Sequence, residues 1–303
     1  MITEQSTLFD KRPYRGASPQ SYFITPPSGD MTVTATLPAY HAYLGSAGYS
    51  KYTPDDFTAD IKRFGQFTGS KPLQDVQTLD IQQWISKLKE TMPAKTLSRK
   101  VSALGNYFRW LEKERVLEPN PAKDIRAQRV TSPLPDILYD NECDRLLTTA
   151  SGDPRTYLLV LLLLETGLKK AELLELKTGN FDFSNKYQPE LWVKHSGKQM
   201  FKDRKLKLPV QIAQVFDEYV KRYEITDMLF PYTPRFIELL LAEAGKRAKI
   251  TKKVTAGILR DMFVVRSVKR GMKLEEVFEK IGLARNSYDD ARKKYGRLTK
   301  EAL

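Results

Sequence analysis

Residues 257–283 read GILRDMFVVRSVKRGMKLEEVFEKIGL, and their pattern predicts two consecutive helices, from Thr255 to Arg270 and from Leu274 to Ile281. Leu259 and Phe263 are four residues apart, so they share one side of the first helix. Arg260 points away from that side. The stretch therefore predicts a helical domain in which a core-packed helix presents an arginine.

The chain around this stretch continues the helical pattern and adds one hairpin. Residues 191–194 and 205–209 alternate as strands on either side of the turn Ser196-Gly197-Lys198. The remaining helices are predicted at 141–150, 156–166, 170–176, 210–222, 234–246 and 287–298. Residues 136–303 are therefore expected to form a mostly helical domain with a small antiparallel β-sheet.

A second helical domain is predicted at residues 31–126. Four apolar periods recur there, over 34–44, 53–67, 80–88 and 96–112. Residues 127–135 are polar and contain two prolines, as is typical of a linker, and residues 1–30 lack an apolar period and are predicted to be a flexible tail. The expected fold class is mainly α, or α+β, in two domains.

Composition and charge narrow the possible functions. The chain has 303 residues and a net charge of +13, and 17 Lys and Arg against 8 Asp and Glu between residues 241 and 303 supply +9 of it. Such a concentration favours nucleic acid as the partner, ahead of an anionic membrane surface. No run approaches the ~18 apolar residues of a membrane span. The single cysteine, Cys143, excludes an internal disulfide and a cysteine-based zinc cluster.

Several segments occur in an order that resembles a known family. NYFRWLEKERVLEPNPAKDI at 106–125 is followed by SPLPDILYDNECDRLLTTA at 132–150, TGLKKAELLEL at 166–176, the Gly-Lys turn and the stretch quoted first. This succession resembles the tyrosine recombinase (phage integrase, Xer-like) family from Met31 to Tyr295. The resemblance implies an N-terminal four-helix, SAM-like core-binding domain and a C-terminal catalytic domain.

The resemblance implies transesterification at a DNA phosphate, with no metal and no cofactor. A tyrosine attacks phosphorus to give a 3′-phosphotyrosyl link, and two arginines neutralise the phosphate oxygens. When these residues are matched position by position, Lys169 stands where the family has its first arginine. Glu172 matches the acidic residue of the same motif. The turn lysine becomes Lys198, and the second arginine is Arg260.

The chain departs from the family at several of these positions. Gly257 and Asp261 stand at two positions where the family has histidines. The family's Leu-Gly-His turn is Ile281-Gly282-Leu283 in this chain, so its histidine is also absent. The usual spacing to the nucleophile lands on Arg292, so Tyr295 is the candidate nucleophile, and Tyr288 is the alternative. Packing against the domain is the favoured role for both tyrosines, and the two roles are closer for Tyr295 than for Tyr288. His41 is expected to be structural, and His195 is expected to be solvent-exposed on its strand.

Double-stranded DNA is the expected partner, clamped between the two domains. The residues proposed to contact it are Lys95, Thr96, Ser98, Arg99 and Lys100 in the first domain and Lys170, Arg204 and Arg266 in the second, beside the candidate catalytic residues. An oligomer on DNA is left open. The expected location is the cytoplasm, on the nucleoid.

Three hypotheses follow from these residues. The lost arginine, imidazoles and correctly spaced tyrosine favour a DNA-binding family member with impaired or lost cleavage. The alternative is an active recombinase in which Lys169 substitutes for the arginine, Tyr295 attacks and an unidentified group replaces the histidines. A third hypothesis is a helical scaffold that binds RNA or a protein.

Overall fold

The computed structural model describes residues 25–47, 49, 53–127, 133–195, 200 and 202–301. These residues form two compact units that divide between Pro133 and Leu134. Each unit has its own apolar core. Both are mainly helical, and the sheet in the C-terminal unit has three antiparallel strands, which confirms the predicted fold class.

Four α-helices form the described part of the N-terminal unit. They are α1 (Leu37–Ser46), α2 (Thr53–Thr68), α3 (Thr78–Lys89) and α4 (Ala94–Lys113). Their core is aromatic: the rings of Tyr40 and Tyr107 meet edge to face at 5.1 Å between centroids, and Phe64 contacts Trp84 in the same way at 5.4 Å. Such edge-to-face pairs stabilise a core beyond the area that they bury.

A buried ion pair joins α2 to α4 in this unit. Lys100 is 1% exposed, and its Nζ lies 2.5 Å from Oδ1 of Asp60, which is also 1% exposed. Arg99 reaches the other carboxylate oxygen at 2.6 Å. Lys100 was expected to contact DNA from the surface of its helix, but it is buried, because its ammonium pairs with the Asp60 carboxylate inside the unit.

The C-terminal unit is built around one helix that is buried along most of its length. Its helices are α5 (Asp140–Ala150), α6 (Pro154–Thr166), α7 (Lys170–Glu175), α8 (Gln211–Arg222), α9 (Pro234–Arg247), α10 (Ala256–Lys269), α11 (Leu274–Lys280) and α12 (Tyr288–Glu301). The leucine-rich α6 is the central one. It starts at the cap Asp153, whose carboxylate accepts from the Thr156 backbone, and ends at Gly167, which adopts a left-handed conformation with φ 60°.

The sheet consists of β1 (Phe181–Asp182), β2 (Glu190–Val193) and β3 (Arg204–Lys207), in that order. Leu191 lies opposite Leu206 and both face the core, whereas Trp192 lies opposite Lys205 on the outer face. The hairpin of β2 and β3 was predicted from the sequence, and β1 was not. Val193 and Arg204 form the next pair and point inwards, so the sheet delivers Arg204 to the interior of the unit.

The last two elements close the unit. Phe263 on α10, Phe278 on α11 and Tyr295 and Leu298 on α12 share one apolar cluster. The single cysteine, Cys143, is buried on α5 as a free thiol. The described part of the chain contains no helix that could span a bilayer.

Candidate functional site: a cationic cluster in the C-terminal unit

Arg260 lies on α10 and contacts the ends of two other helices. One terminal nitrogen, Nη1, donates to the carbonyl of Gly167, and Nη2 donates to the carbonyl of Ile281 at 2.8 Å. These carbonyls cap the C-terminal ends of α6 and α11, where the helix dipoles concentrate negative charge. The guanidinium is therefore fixed in position by backbone groups, and nitrogen–hydrogen donors remain for a ligand.

Glu172 and Arg204 form a two-pronged ion pair beside Arg260. Arg204 Nη1 donates to Glu172 Oε1 at 3.1 Å, and Nη2 donates to Oε2 at 3.0 Å. Arg204 Nε donates to the Lys280 carbonyl at 2.6 Å. Burial alone would raise the pKa of the Glu172 carboxyl, but the Arg204 guanidinium outweighs it and the pKa is lowered. The pair is thus charged on both sides.

Gly282 makes room for this arrangement. A Cβ atom at position 282 would lie 2.5 Å from Arg204 Nη1, and the backbone there has φ +60°, which glycine adopts without strain. The turn that has lost the family's histidine therefore still has a packing role, since it lets the guanidinium approach the end of α11.

Lys169 occupies the position of the family's first arginine. Its backbone nitrogen donates to Glu172 Oε2 at 2.9 Å, which caps α7. Burial lowers the pKa of the half-buried Lys169 ammonium, and the charges of Arg260, Lys202 and Arg204 lower it further, against the opposing effect of Glu172. Among the described residues, no carboxylate is close enough to the Lys169 Nζ to form an ion pair with it.

We call Lys169, Glu172, Arg204 and Arg260 the cationic cluster. Three of its side chains are positive and one is negative, so it carries a surplus of two positive charges in a partly buried position. Unbalanced charge of this kind is costly unless a counter-ion is bound. The cluster is thus suited to an anion with two or more negatively charged oxygens.

His195 lies at the edge of the cationic cluster. Its Nε2 lies 3.2 Å from Glu172 Oε1, and its Nδ1 lies 3.3 Å from Asp203 Oδ1. The side chain is only 9% exposed, so the expectation of a solvent-exposed residue is wrong. The burial of His195 could have been predicted from the alternation of β2. Residues 191 and 193 face inwards, and continuing this alternation by two residues places His195 on the same face.

The structure separates the two candidate tyrosines. The Tyr295 hydroxyl donates to Asp261 Oδ1 at 2.8 Å, and the Arg260 guanidinium interacts with the same hydroxyl. Burial, followed by the charge of Asp261, raises the pKa of Tyr295 well above its ordinary value. Tyr288 instead packs edge to face on Phe278, with centroids 5.0 Å apart. Tyr295 is therefore the tyrosine that meets the cluster.

The other predicted residues of this unit lie apart from the cationic cluster or outside the description. Lys198 and its turn fall outside the described residues. Lys170 forms an ion pair with Glu238, and Arg266 lies 3.6 Å from Asp140. Arg292, at the position where spacing would place the nucleophile, is on the surface and pairs with Glu275 at 3.0 Å.

In the N-terminal unit, the predicted DNA-facing residues lie near the start of α4. Lys95 and Arg99 are exposed, and Thr96 and Ser98 are half-buried. Only Lys100 of this set is withdrawn from the surface. Among the described residues of the whole chain, no group of three or more His, Cys, Asp or Glu side chains is placed to hold a metal ion.

Comparisons with known proteins agree with this architecture. Residues 37–115 match the phage integrase N-terminal SAM-like domain, and residues 136–288 match the phage integrase family. A tyrosine recombinase of Pseudothermotoga lettingae is 26% identical over 244 residues, which cover 77% of this chain and 84% of the relative. Tyrosine recombinase XerC of Anoxybacillus flavithermus is 26% identical over 296 residues, covering 89% and 95%.

A solved structure shares the fold. The lambda integrase dimer bound to a COC′ core site superposes with a TM-score of 0.66 at 17% identity, over 86% of this chain and 76% of that chain. The family match over residues 136–288 spans half of the sequence and contains Lys169, Glu172, Arg204 and Arg260. The chain therefore belongs to the phage integrase family of tyrosine recombinases.

Proposed function

We propose that this chain binds duplex DNA, holds a backbone phosphate at the cationic cluster, and cleaves the strand poorly or not at all. The observation that carries the proposal is that Lys169, Arg204 and Arg260 surround a single carboxylate, that of Glu172, which leaves a surplus of two positive charges. A phosphodiester supplies the negative oxygens that such a site lacks, and guanidinium groups bind them in pairs. Two solved proteins of this fold, lambda integrase and XerH, were captured on DNA.

The proposal includes the N-terminal unit as a second contact surface. Lys95 and Arg99 are exposed beside Thr96 and Ser98, so charged and hydroxyl donors share one end of α4. We propose that both units contact the same duplex, in the cytoplasm and on the nucleoid. The division into a tail at 1–30, a core-binding domain at 31–126, a linker at 127–135 and a catalytic domain at 136–303 belongs to the proposal, as does an oligomer on DNA.

Impaired cleavage is supported by what the cluster lacks. A lysine at 169 keeps the charge but not the planar fork that grips two oxygens. A single preorganised donor contributes about 10²–10³ in rate, and a general acid or base about 10²–10⁴. The buried Tyr295 hydroxyl also has a raised pKa, so it stays protonated until a base accepts its proton. These deficits act in the same direction, although they do not simply add.

The test is a fluorescence-anisotropy titration of labelled duplex DNA with the full chain. Lys169→Gln removes one charge from the cationic cluster and is expected to weaken binding about tenfold or more, the effect of losing a charge-assisted hydrogen bond. Lys186→Gln is the matched control, since Lys186 is an exposed lysine between β1 and β2. Equal affinities of the two variants would exclude the cluster as the phosphate site.

The same titration addresses the scaffold hypothesis. A chain that failed to bind duplex DNA at low salt but bound an RNA hairpin would contradict the proposal and favour the scaffold. The alternative of an active recombinase has one specific observation in its favour, because the Tyr295 hydroxyl lies against both Asp261 and Arg260. Slow strand cleavage through Tyr295 is therefore the second candidate function.

A further inference from the structure

Tyr295, Asp261 and Lys294 are linked by hydrogen bonds beside the cationic cluster. Tyr295 donates to Asp261 Oδ1 at 2.8 Å, and Lys294 Nζ donates to Asp261 Oδ1 and Oδ2 at 2.7 and 2.8 Å. We propose that Asp261 is the general base for Tyr295 and that Lys294 is its positioning residue. This inference rests on the proposed binding of a DNA phosphate at the cationic cluster.

The geometry meets the usual requirement for an activated nucleophile. A hydroxyl must lie within hydrogen-bonding reach of a base, and a third group must fix the orientation of that base. Asp261 is buried and Lys294 contacts both of its oxygens, so the carboxylate cannot rotate away without breaking two ion-pair contacts. A carboxylate thus stands where the family has an imidazole, and it accepts the hydroxyl proton.

Arg260 connects this chain of side chains to the phosphate site. Its guanidinium belongs to the cationic cluster and also interacts with the Tyr295 hydroxyl. A hydroxyl that only packed in the core would need one partner, yet this one meets a carboxylate and a guanidinium. A phosphate held by Arg260 would therefore lie next to the Tyr295 oxygen.

The reaction step balances with the groups named here and water. The Tyr295 oxygen bonds to phosphorus as its proton passes to Asp261 Oδ1. The bond between phosphorus and the 5′ oxygen breaks, and that oxygen leaves with the electron pair and takes a proton from water. The resulting hydroxide recovers the proton from Asp261. Lys169 and Arg260 face the charge on the non-bridging oxygens.

The experiment uses the full chain and a nicked suicide duplex, with covalent adduct measured on a denaturing gel over time. Wild type is expected to form adduct slowly, and Tyr295→Phe is expected to form none. Asp261→Asn is expected to slow adduct formation about 100-fold or more, the ordinary contribution of a general base. Asp289→Asn is the control, because Asp289 lies on α12 with Tyr295 and Lys294, is exposed and pairs with Arg292 on the surface.

Two further variants separate chemistry from folding. Lys294→Met is expected to slow adduct formation about tenfold, and Lys294→Arg is expected to restore most of the rate, because an arginine can donate to both carboxylate oxygens. Neither Lys294 variant nor Asp261→Asn should weaken duplex binding measured by anisotropy. Thermal melting of each variant identifies any that fail to fold. If Lys294→Met or Asp261→Asn fails to fold, the rate of adduct formation by Lys294→Arg tests the inference.

Each remaining outcome counts against the inference. Adduct that persists in Tyr295→Phe but is lost in Tyr288→Phe would assign the nucleophile elsewhere. An unchanged rate in Asp261→Asn would remove the base. Wild type that binds duplex DNA but forms no adduct overnight would overturn this inference and leave the proposed DNA binding intact. Loss of duplex binding in wild type would instead overturn the proposed function.

Discussion

Lys169 differs from the arginine it replaces in its ability to lose a proton. Burial and neighbouring cations lower the pKa of Lys169, whereas an arginine stays charged at any pH that the fold tolerates. As the pH rises through this lowered pKa, the site loses a charge and phosphate binding weakens. Lys169→Arg is therefore expected to bind DNA more tightly than wild type at alkaline pH, where the lysine loses its charge before an arginine does.

Anisotropy titrations at pH 7 and at about pH 9.5 measure this difference. Lys186→Arg, the matched change at an exposed lysine, should follow wild type at both pH values. Parallel pH profiles for wild type and Lys169→Arg would show that Lys169 stays charged throughout or does not contact the phosphate.

The sequence contains the information that Lys100 and Asp60 are buried, but not that they form an ion pair. Lys100 follows Leu97 by three residues and precedes Leu104 by four, so helical periodicity already places it on the apolar face of α4. Asp60 lies between Phe57 and Phe64 on α2 in the same way. The position of each residue was readable, but their pairing was not, because it depends on how two helices pack in space.

At the scale of secondary structure, the ion pair between Asp60 and Lys100 holds α2 against α4. Asp60→Ala leaves a buried ammonium with no carboxylate and is expected to destabilise the N-terminal unit by about 3–5 kcal/mol. The double variant Asp60→Leu with Lys100→Met should recover most of this loss, because apolar side chains of similar volume replace the pair.

Urea unfolding followed by tryptophan fluorescence in a Trp192→Phe background measures this effect. The remaining tryptophans, Trp84 and Trp110, are both buried in the N-terminal unit. Asp75→Ala is the control, since Asp75 is exposed. A loss in Asp60→Ala no larger than in the control would show that the pair contributes nothing to stability.

The elements that sequence located best are those with a strong period. The stripe Phe57, Ile61 and Phe64 predicted α2, and the alternation around the Gly-Lys turn predicted β2 and β3. Strand β1 was missed because two residues, Phe181 and Asp182, are too short to show alternation. Its pairing is decided by the neighbouring strand, which is a tertiary effect.

At the scale of the whole molecule, the positive charge makes DNA affinity depend on salt. The net charge is +13, and binding that neutralises several phosphates releases counter-ions. We expect affinity to fall about 10³-fold or more between 50 and 200 mM salt. Lys169→Gln should reduce the slope of log affinity against log salt by about one phosphate contact.

The measurement is a series of anisotropy titrations of one duplex at four salt concentrations. Lys186→Gln serves again as the control and should keep the slope of wild type. A nearly flat dependence would mean that phosphate contacts do not dominate binding, and base or protein contacts would then have to supply the affinity.

The ordered succession of segments identified the family, while the site required coordinates. Motif position assigned Lys169, Glu172 and Arg260, and the structure brings these three together. The role of Asp261 was hidden, because its contact with Tyr295 joins residues 34 positions apart on different helices. Sequence spacing counts residues along one chain and cannot show which side chains of separate helices meet.

Arg260 ties the ends of α6 and α11 through the Gly167 and Ile281 carbonyls. Replacing Arg260 would remove the donor that holds both helix ends, whether or not the protein cleaves DNA. A descendant that had abandoned strand exchange would thus still keep this arginine for folding. An arginine at this position in another sequence is therefore evidence for the fold of the domain, and is not by itself evidence for catalytic activity.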